Sequence, residues 1–137
     1  MKKEKSCGAI IFRKIQNKYE FVLIQQKYSL HFGFPKGHVE QNESELMTAY
    51  REVKEETGLD IEIFSQIRGK IQYSPRPGII KDVIYFLAKA KSTIIKKQDE
   101  EIEDAMWVDE SEVLNKLTYQ SDKQIFESVL SQFKFDK

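Results

Sequence analysis

The segment from Ser44 to Thr57 constrains this chain most. Within it, Leu46, Ala49, Tyr50 and Val53 recur at three- and four-residue spacing, which predicts one amphipathic helix. Asn42 is placed to cap its N-terminus, with Glu45 three residues on as the capping-box partner. Gly58 is placed to end it in a left-handed conformation, with Leu59 folding back as the apolar contact. Around this helix the sequence reads as β-structure. Residues 5–13 and 19–27 are rich in β-branched and aromatic side chains, with Gln16-Asn17-Lys18 as a hairpin turn. Residues 28–43 hold Gly33, Pro35 and Gly37 and read as a loop. Strands are predicted at 61–72 and 79–90 around a Pro75–Gly78 turn, and a short one around Trp107-Val108. Residues 121–133 predict a second helix with Ile125, Phe126, Val129, Leu130 and Phe133 on one face. Strands, helix, strands, helix gives an α+β or layered α/β arrangement, and 137 residues suit one domain over 1–137.

Composition excludes several classes. Hydrophobic residues make up 40%, with nine Phe and six Tyr, enough apolar mass for a core. No apolar run is long enough to span a bilayer, and no signal-peptide h-region follows the charged N-terminus. The single cysteine, Cys7, excludes an internal disulfide and a cysteine-based zinc site, and is expected to be a small buried hydrophobe. A cytoplasmic protein, a monomer or weak homodimer with no membrane contact, is expected. The 22 basic and 22 acidic residues balance overall but not locally. Residues 1–36 carry +6, 37–59 carry −4, 60–97 carry +5 and 98–137 carry −7. The negative blocks suit divalent cations and the positive blocks a polyanionic ligand. Overall neutrality argues against a dedicated nucleic-acid surface.

The predicted helix is more acidic than stability favours. At roughly 100° per residue, Glu55 and Glu56 lie about −60° and +40° from Glu52, so the three carboxylates share one face. That face is expected opposite much of the Leu46/Tyr50/Val53 stripe, with Glu45 pointing nearly along Glu52. Like charges at i,i+4 cost about 0.2–0.5 kcal/mol per pair. Anions near the helix C-terminus also oppose the macrodipole. Two readings account for the acidic face: a solvated surface with Arg51 paired to Glu55, or a hard-cation site for Mg²⁺ or Mn²⁺.

The surrounding spacing favours the second reading. Gly37, Glu43 and the run Arg51-Glu52-Val53-Lys54-Glu55-Glu56-Thr57-Gly58-Leu59 match every fixed position of G-x5-E-x7-R-E-U-x-E-E-x-G-U, where U is a bulky aliphatic residue. Nine constrained positions over 23 residues is a specific signal. The chain resembles the Nudix hydrolases, from the first strand to Trp107. The resemblance implies a mixed β-sheet sandwiched between α-helices, with the box at 37–59 forming loop–helix–loop. It also implies hydrolysis of a nucleoside diphosphate linked to another moiety, with Mg²⁺ or Mn²⁺. By the match, Glu52, Glu55, Glu56 and the Gly37 carbonyl would be metal ligands, Arg51 would orient the glutamates, and Glu43 would brace the loop.

Phe34-Pro35-Lys36-Gly37-His38-Val39-Glu40, Cys7 to Phe12, and Lys81-Asp82-Val83-Ile84-Tyr85-Phe86 resemble the diadenosine tetraphosphate hydrolases of the animal and archaeal type. That resemblance implies phosphate contacts from Lys36 and Lys81, a base stacked on Tyr73, and Tyr85 as a further substrate contact. His38 either meets phosphate or holds the loop, whereas His31 reads as a surface residue. Glu101, six positions before Trp107, resembles the family's E-x5-W glutamate, which reaches the metals or acts as base. Two positions depart from the pattern: Asn42 stands where many members have Gly, and Phe32 where Trp is common. Asn tolerates the left-handed backbone such a position requires. The expected reaction is cleavage of a dinucleoside polyphosphate such as diadenosine tetraphosphate to ATP and AMP. The alternatives are a hydrolase of nucleoside triphosphates, nucleotide sugars or RNA 5′-triphosphate ends, or a non-catalytic nucleotide-sensing module.

Overall fold

The computed structural model describes residues 2–133; Met1 and residues 134–137, at the ends of the expected domain, lie outside the described residues. Strand β1 (Lys2–Ile15) is buried without interruption from Ser6 to Phe12. It can be apolar on both faces because helices cover both faces of the sheet, while neighbouring strands pair both of its edges. On one edge it runs parallel to β6 (Ile79–Ala90). On the other it is antiparallel to β2 (Lys18–Gln26) and then to the short β4 (Lys36–His38). β5 (Ile61–Tyr73) pairs with β6, while β3 (Phe32–Gly33) and β7 (Ile102–Asp109) both pair with β2. Among the described residues this makes a seven-stranded mixed sheet of order β3-β2-β1-β6-β5, with β4 on β1 and β7 on β2.

The two faces of that sheet carry different helices. Ile10, Phe12, Phe21, Leu23, Tyr85 and Leu87 point to one side, by the two-residue period of strands. There they pack with Val113 of α2 (Glu110–Lys116) and with Ile125, Phe126 and Val129 of α3 (Gln120–Gln132). Ala9, Ile11 and Val22 point to the other side and meet Val53 of α1 (Glu45–Thr57) and Leu59. The expected α+β layering, a mixed sheet between helices, is therefore present. No described helix is long and apolar enough to cross a membrane.

Local details depart from the sequence expectation. Ser44, not Asn42, caps α1: its Oγ accepts the Met47 amide at 3.1 Å. Asn42 instead takes a left-handed conformation, φ 68°, in the turn before the cap, as its tolerance of that backbone allows. Glu45 makes no capping box and pairs with Lys5 and Arg68 at 2.9 and 3.1 Å. Gly58 does end the helix, at φ 73°, with its N–H on the Lys54 carbonyl at 3.0 Å and Leu59 buried behind it. The expected loop at 28–43 is interrupted by β3 and β4. The helix α2 was not foreseen; Asp109 caps it by accepting the Ser111 amide at 3.0 Å. The approach of β4 to β1 depends on Gly8, since a Cβ there would lie 1.9 Å from the Pro35 carbonyl oxygen. That approach sets Gly37 opposite Cys7 and delivers Lys36–His38 to the end of α1.

Candidate active site

The acidic end of α1 is organised by one guanidinium. Arg51 grips Glu43 through two bonds, Nε to Oε2 at 2.6 Å and Nη2 to Oε1 at 2.9 Å. Nη1 reaches Glu52 at 2.8 Å and Glu55 at 3.1 Å, and Nη2 also donates to the His38 carbonyl at 3.0 Å. The loop and helix are thus joined by charge-assisted bonds. Glu43 also accepts the Glu40 amide and the Thr48 hydroxyl. Arg51, foremost, and the Glu40 amide hold its carboxyl down at about 2.

Glu56 has a different environment. It is only 5% exposed, and its Oε1 accepts the Lys36 amide at 3.2 Å. Burial, then the charge of Glu52, push its carboxyl up to about 8. Burial likewise raises Glu52, against the pull of Arg51. The expectation that the acidic face lies opposite the apolar stripe is corrected here. Ala49 and Val53 go into the core, whereas Leu46 and Tyr50 are 36% and 43% exposed. Glu56 follows Val53 by three residues, so it turns inward too, onto the Lys36 amide.

The three helix glutamates do not form a finished cage. Among the described residues no three carboxylate, imidazole or thiol groups converge as metal ligands. Arg51 binds Glu52 and Glu55, and the Lys36 amide binds Glu56. The donor chemistry nevertheless suits a hard cation. A Cβ on Gly37 would stand 2.0 Å from the Glu52 carboxyl carbon, so the glycine leaves the carboxylate packed directly on the loop backbone. Glu101 is exposed, its carbonyl accepts the Lys27 amide, and its charge acts on both Glu52 and Glu56. The cluster therefore holds more negative charge than Arg51 balances.

On the opposite face of the sheet lies a cavity of about 560 Å³. Gln26, Phe34 and Lys36 line it from one part of the chain, Tyr73 and Tyr85 from the sheet, and Tyr119 and Asp122 from the start of α3. Tyr73 and Tyr119 are about half exposed at its rim. Tyr85, expected as a substrate contact, lines the cavity, is buried in the packing and stands edge-on against Phe34. His31 is no bystander: its ring is T-stacked on Tyr119 at 5.0 Å and its Nδ1 is hydrogen-bonded to the tyrosine hydroxyl. Lys81 is the cross-strand partner of Tyr73, and burial, then the Lys36 charge, lower its ammonium. The His38 side chain is exposed; its carbonyl ties the loop to Arg51. Tyr119 and Asp122 were missed because nothing local in Leu117–Lys123 marks them. Cys7 is buried as expected, its thiol pushed up to about 11 by burial.

Comparison with known proteins places this geometry. A profile of the NUDIX domain matches residues 4–129. The asymmetrical bis(5′-nucleosyl)-tetraphosphatase of Sus scrofa is 41% identical over 99 residues, covering 64% of this chain and 65% of the relative. The one from Caenorhabditis elegans is 39% identical over 89 residues, covering 62% and 64%. The matched stretch is thus just under two thirds of these relatives' length. A crystal structure of a C. elegans Ap4A hydrolase binary complex superposes with a TM-score of 0.82 at 29% identity, covering 95% of this chain and 99% of that one. The NUDIX domain of Shewanella oneidensis NrtR, complexed with ADP ribose, has a TM-score of 0.79 at 17% identity and a coverage of 98% and 90%, a likeness of fold. With the profile spanning nearly all the described residues and the Gly37–Leu59 frame built around Arg51, this chain belongs to the Nudix family.

Proposed function

We propose that the chain is a divalent-cation-dependent pyrophosphohydrolase that cleaves a dinucleoside polyphosphate, such as diadenosine tetraphosphate, to ATP and AMP. The observation that carries this reading is Lys36, whose amide holds Glu56 while the residue lines the aromatic cavity. A nucleoside in the cavity would send its phosphates past Lys36 and Lys81 towards the glutamates. The relatives' names point the same way, for those proteins.

Glu52, Glu55, Glu56, Glu101 and the Gly37 carbonyl would hold the cations, Mg²⁺ or Mn²⁺. When bound, these ions neutralise phosphate oxygens and acidify a water. The chain's own groups do the rest. Arg51 fixes the direction of Glu52 and Glu55. One glutamate of the cluster takes the water proton. Lys36 and Lys81 grip phosphate oxygens beyond the scissile bond. Tyr73 and Tyr119 stack the base, and with the phosphate grips they fix the in-line geometry.

The test is incubation with diadenosine tetraphosphate and Mg²⁺ or Mn²⁺ in H₂¹⁸O, with products resolved by chromatography and mass spectrometry. ATP and AMP are expected, with ¹⁸O in one product only and no turnover in chelator. Turnover of a mononucleotide or an RNA 5′ end in preference to the dinucleotide would overturn the substrate. No turnover of any nucleotide would leave a binding module.

A further inference from the structure

Asp122 lines the aromatic cavity and is only 8% exposed. Its backbone amide is spent on the Tyr119 carbonyl at 3.1 Å. Its carboxylate has no hydrogen-bond donor among the described residues, and Lys36 is the one charge that favours its ionised form. Its oxygens are not sealed from solvent; they open on the cavity, so the carboxylate is partly desolvated by its surroundings yet available to a donor that enters. Nothing in the packing of α3 repays this, because the apolar face of that helix runs through Ile125, Phe126 and Val129. The carboxylate stands beside Gly33, where even a Cβ would approach its Oδ2 to 3.4 Å. It borders empty space between two tyrosine rims.

A group so placed will accept hydrogen bonds from whatever the tyrosines stack. We propose that Asp122 is the specificity-determining residue of the cavity and that it selects guanine, accepting the ring N1–H and the 2-amino group with its two oxygens. The chemistry distinguishes the bases. Guanine presents two adjacent donors to two acceptors. Hypoxanthine keeps only the N1–H. Adenine presents one amino donor beside a ring acceptor, N1, which would face a carboxylate oxygen. Where a buried polar group is built to bond a ligand, the analogue lacking the partner is rejected strongly. The inference rests on the cavity being the nucleoside site, and ranks the dinucleoside polyphosphates it takes, the diguanosine ahead of the diadenosine compound.

The test is equilibrium binding of GMP, IMP and AMP at pH 7.5 to the full chain and to Asp122→Asn, alongside kcat/KM for diguanosine and diadenosine tetraphosphates. The wild type is expected to bind GMP about 10–100-fold more tightly than AMP, the range of one good bidentate base contact, with IMP between. Asparagine offers one acceptor and one donor, matching adenine, so Asp122→Asn should abolish or invert the ratio. Equal affinities in the wild type, no binding of any of the three, or a ratio unchanged in Asp122→Asn would overturn the inference. The GMP–IMP–AMP series in the wild type decides it even if Asp122→Asn misfolds. A binding preference for GMP with no cleavage of either dinucleotide would sink the proposed reaction and leave the base selection standing.

Discussion

The two ends of the site are built by opposite means. The acidic end is local: every carboxylate of the Arg51 hub comes from one loop and one helix between Glu40 and Glu55. The cavity is assembled from the β2–β4 region, β5, β6 and the start of α3, segments that meet only when the sheet forms. Their electrostatics differ as well. At the acidic end Glu40, Glu43, Glu52 and Glu55 share one guanidinium, while Glu56 and Glu101 are not bonded to it. In the cavity a single carboxylate takes no donor from the described residues and opens on empty space. A local constellation can be saturated by its own neighbours and await a cation. A long-range one leaves its polar group for the ligand.

If that division is right, damage at the acidic end should strike turnover and damage at the cavity should strike affinity. The largest effect is expected at α1. Glu55→Gln or Glu56→Gln should lower kcat by about 10²-fold or more, the order for losing a metal or proton-transfer group. Folding should survive, since glutamine can still accept the Lys36 amide at position 56, and removing a like charge relieves Glu52. Near-normal turnover with a sharply lower thermal midpoint would make these residues structural and break the comparison.

At the cavity, Tyr73→Ala should raise KM by a factor matching a loss of roughly 1–3 kcal/mol of stacking. kcat should change less, because stacking persists from ground state to transition state. Steady-state kinetics on a dinucleoside tetraphosphate separates the two parameters. A fall in kcat at constant KM would mean that the ring positions the reacting phosphate, and the two ends would no longer be distinct.

A smaller effect is expected at Glu101, which meets the acidic cluster through its charge rather than through a bond. Glu101→Gln should lower turnover by about tenfold, the lower part of what a lost acid–base or metal contact costs. The same change at Glu100 or Glu103 should do little. Equal small losses from all three would place the stretch on the solvated surface.

The same contrast explains what could be read in the sequence. The helix, its glycine stop and the match from Gly37 to Leu59 depend on spacing within a few turns, and spacing is what a sequence displays. Even there the cap was misplaced by two residues. Asn42 and Ser44 both suit a cap, and only the left-handed turn at Asn42 decides between them. The direction of Glu56 also escaped, because its carboxylate is taken up by the Lys36 amide on β4, a contact that spacing within the helix does not display. Tyr73 and Lys81 were identified only through resemblance to a family. Tyr119, His31 and Asp122 carry no local mark: a tyrosine before a helix and an aspartate in its first turn read as ordinary surface residues. Their meaning comes from the hydrogen bonds between Phe32 and Thr118, which tie the α2–α3 connection to β3 and bring residues 31 and 119 into contact.

The mildest test uses stability rather than activity, and it turns on the opposite displacement of two carboxyls. Arg51 holds Glu43 at about 2, below its ordinary value of 4.5. The folded state therefore favours its ionised form, and that stabilisation, present above pH 4.5, is lost as pH falls towards 2. Asp122 is displaced the other way, from 3.8 to about 6, by burial. Folding then favours its protonated form, so stability is greatest below pH 3.8 and declines as pH rises through about 6. The groups facing it offer little relief: Lys36 from β4 favours the anion, but burial outweighs it. Asp122→Asn should thus raise the thermal midpoint by a few degrees at pH 7.5, on the order of 1–2 kcal/mol, and by nothing near pH 4. Glu43→Gln should lower the midpoint at pH 7.5, with the difference shrinking on acidification. Melting curves of the ligand-free protein across pH 3.5–8 give both trends. Parallel curves for the wild type and Asp122→Asn would mean that the aspartate is already satisfied without a ligand, and that the cavity, like the Arg51 hub, balances its own charge.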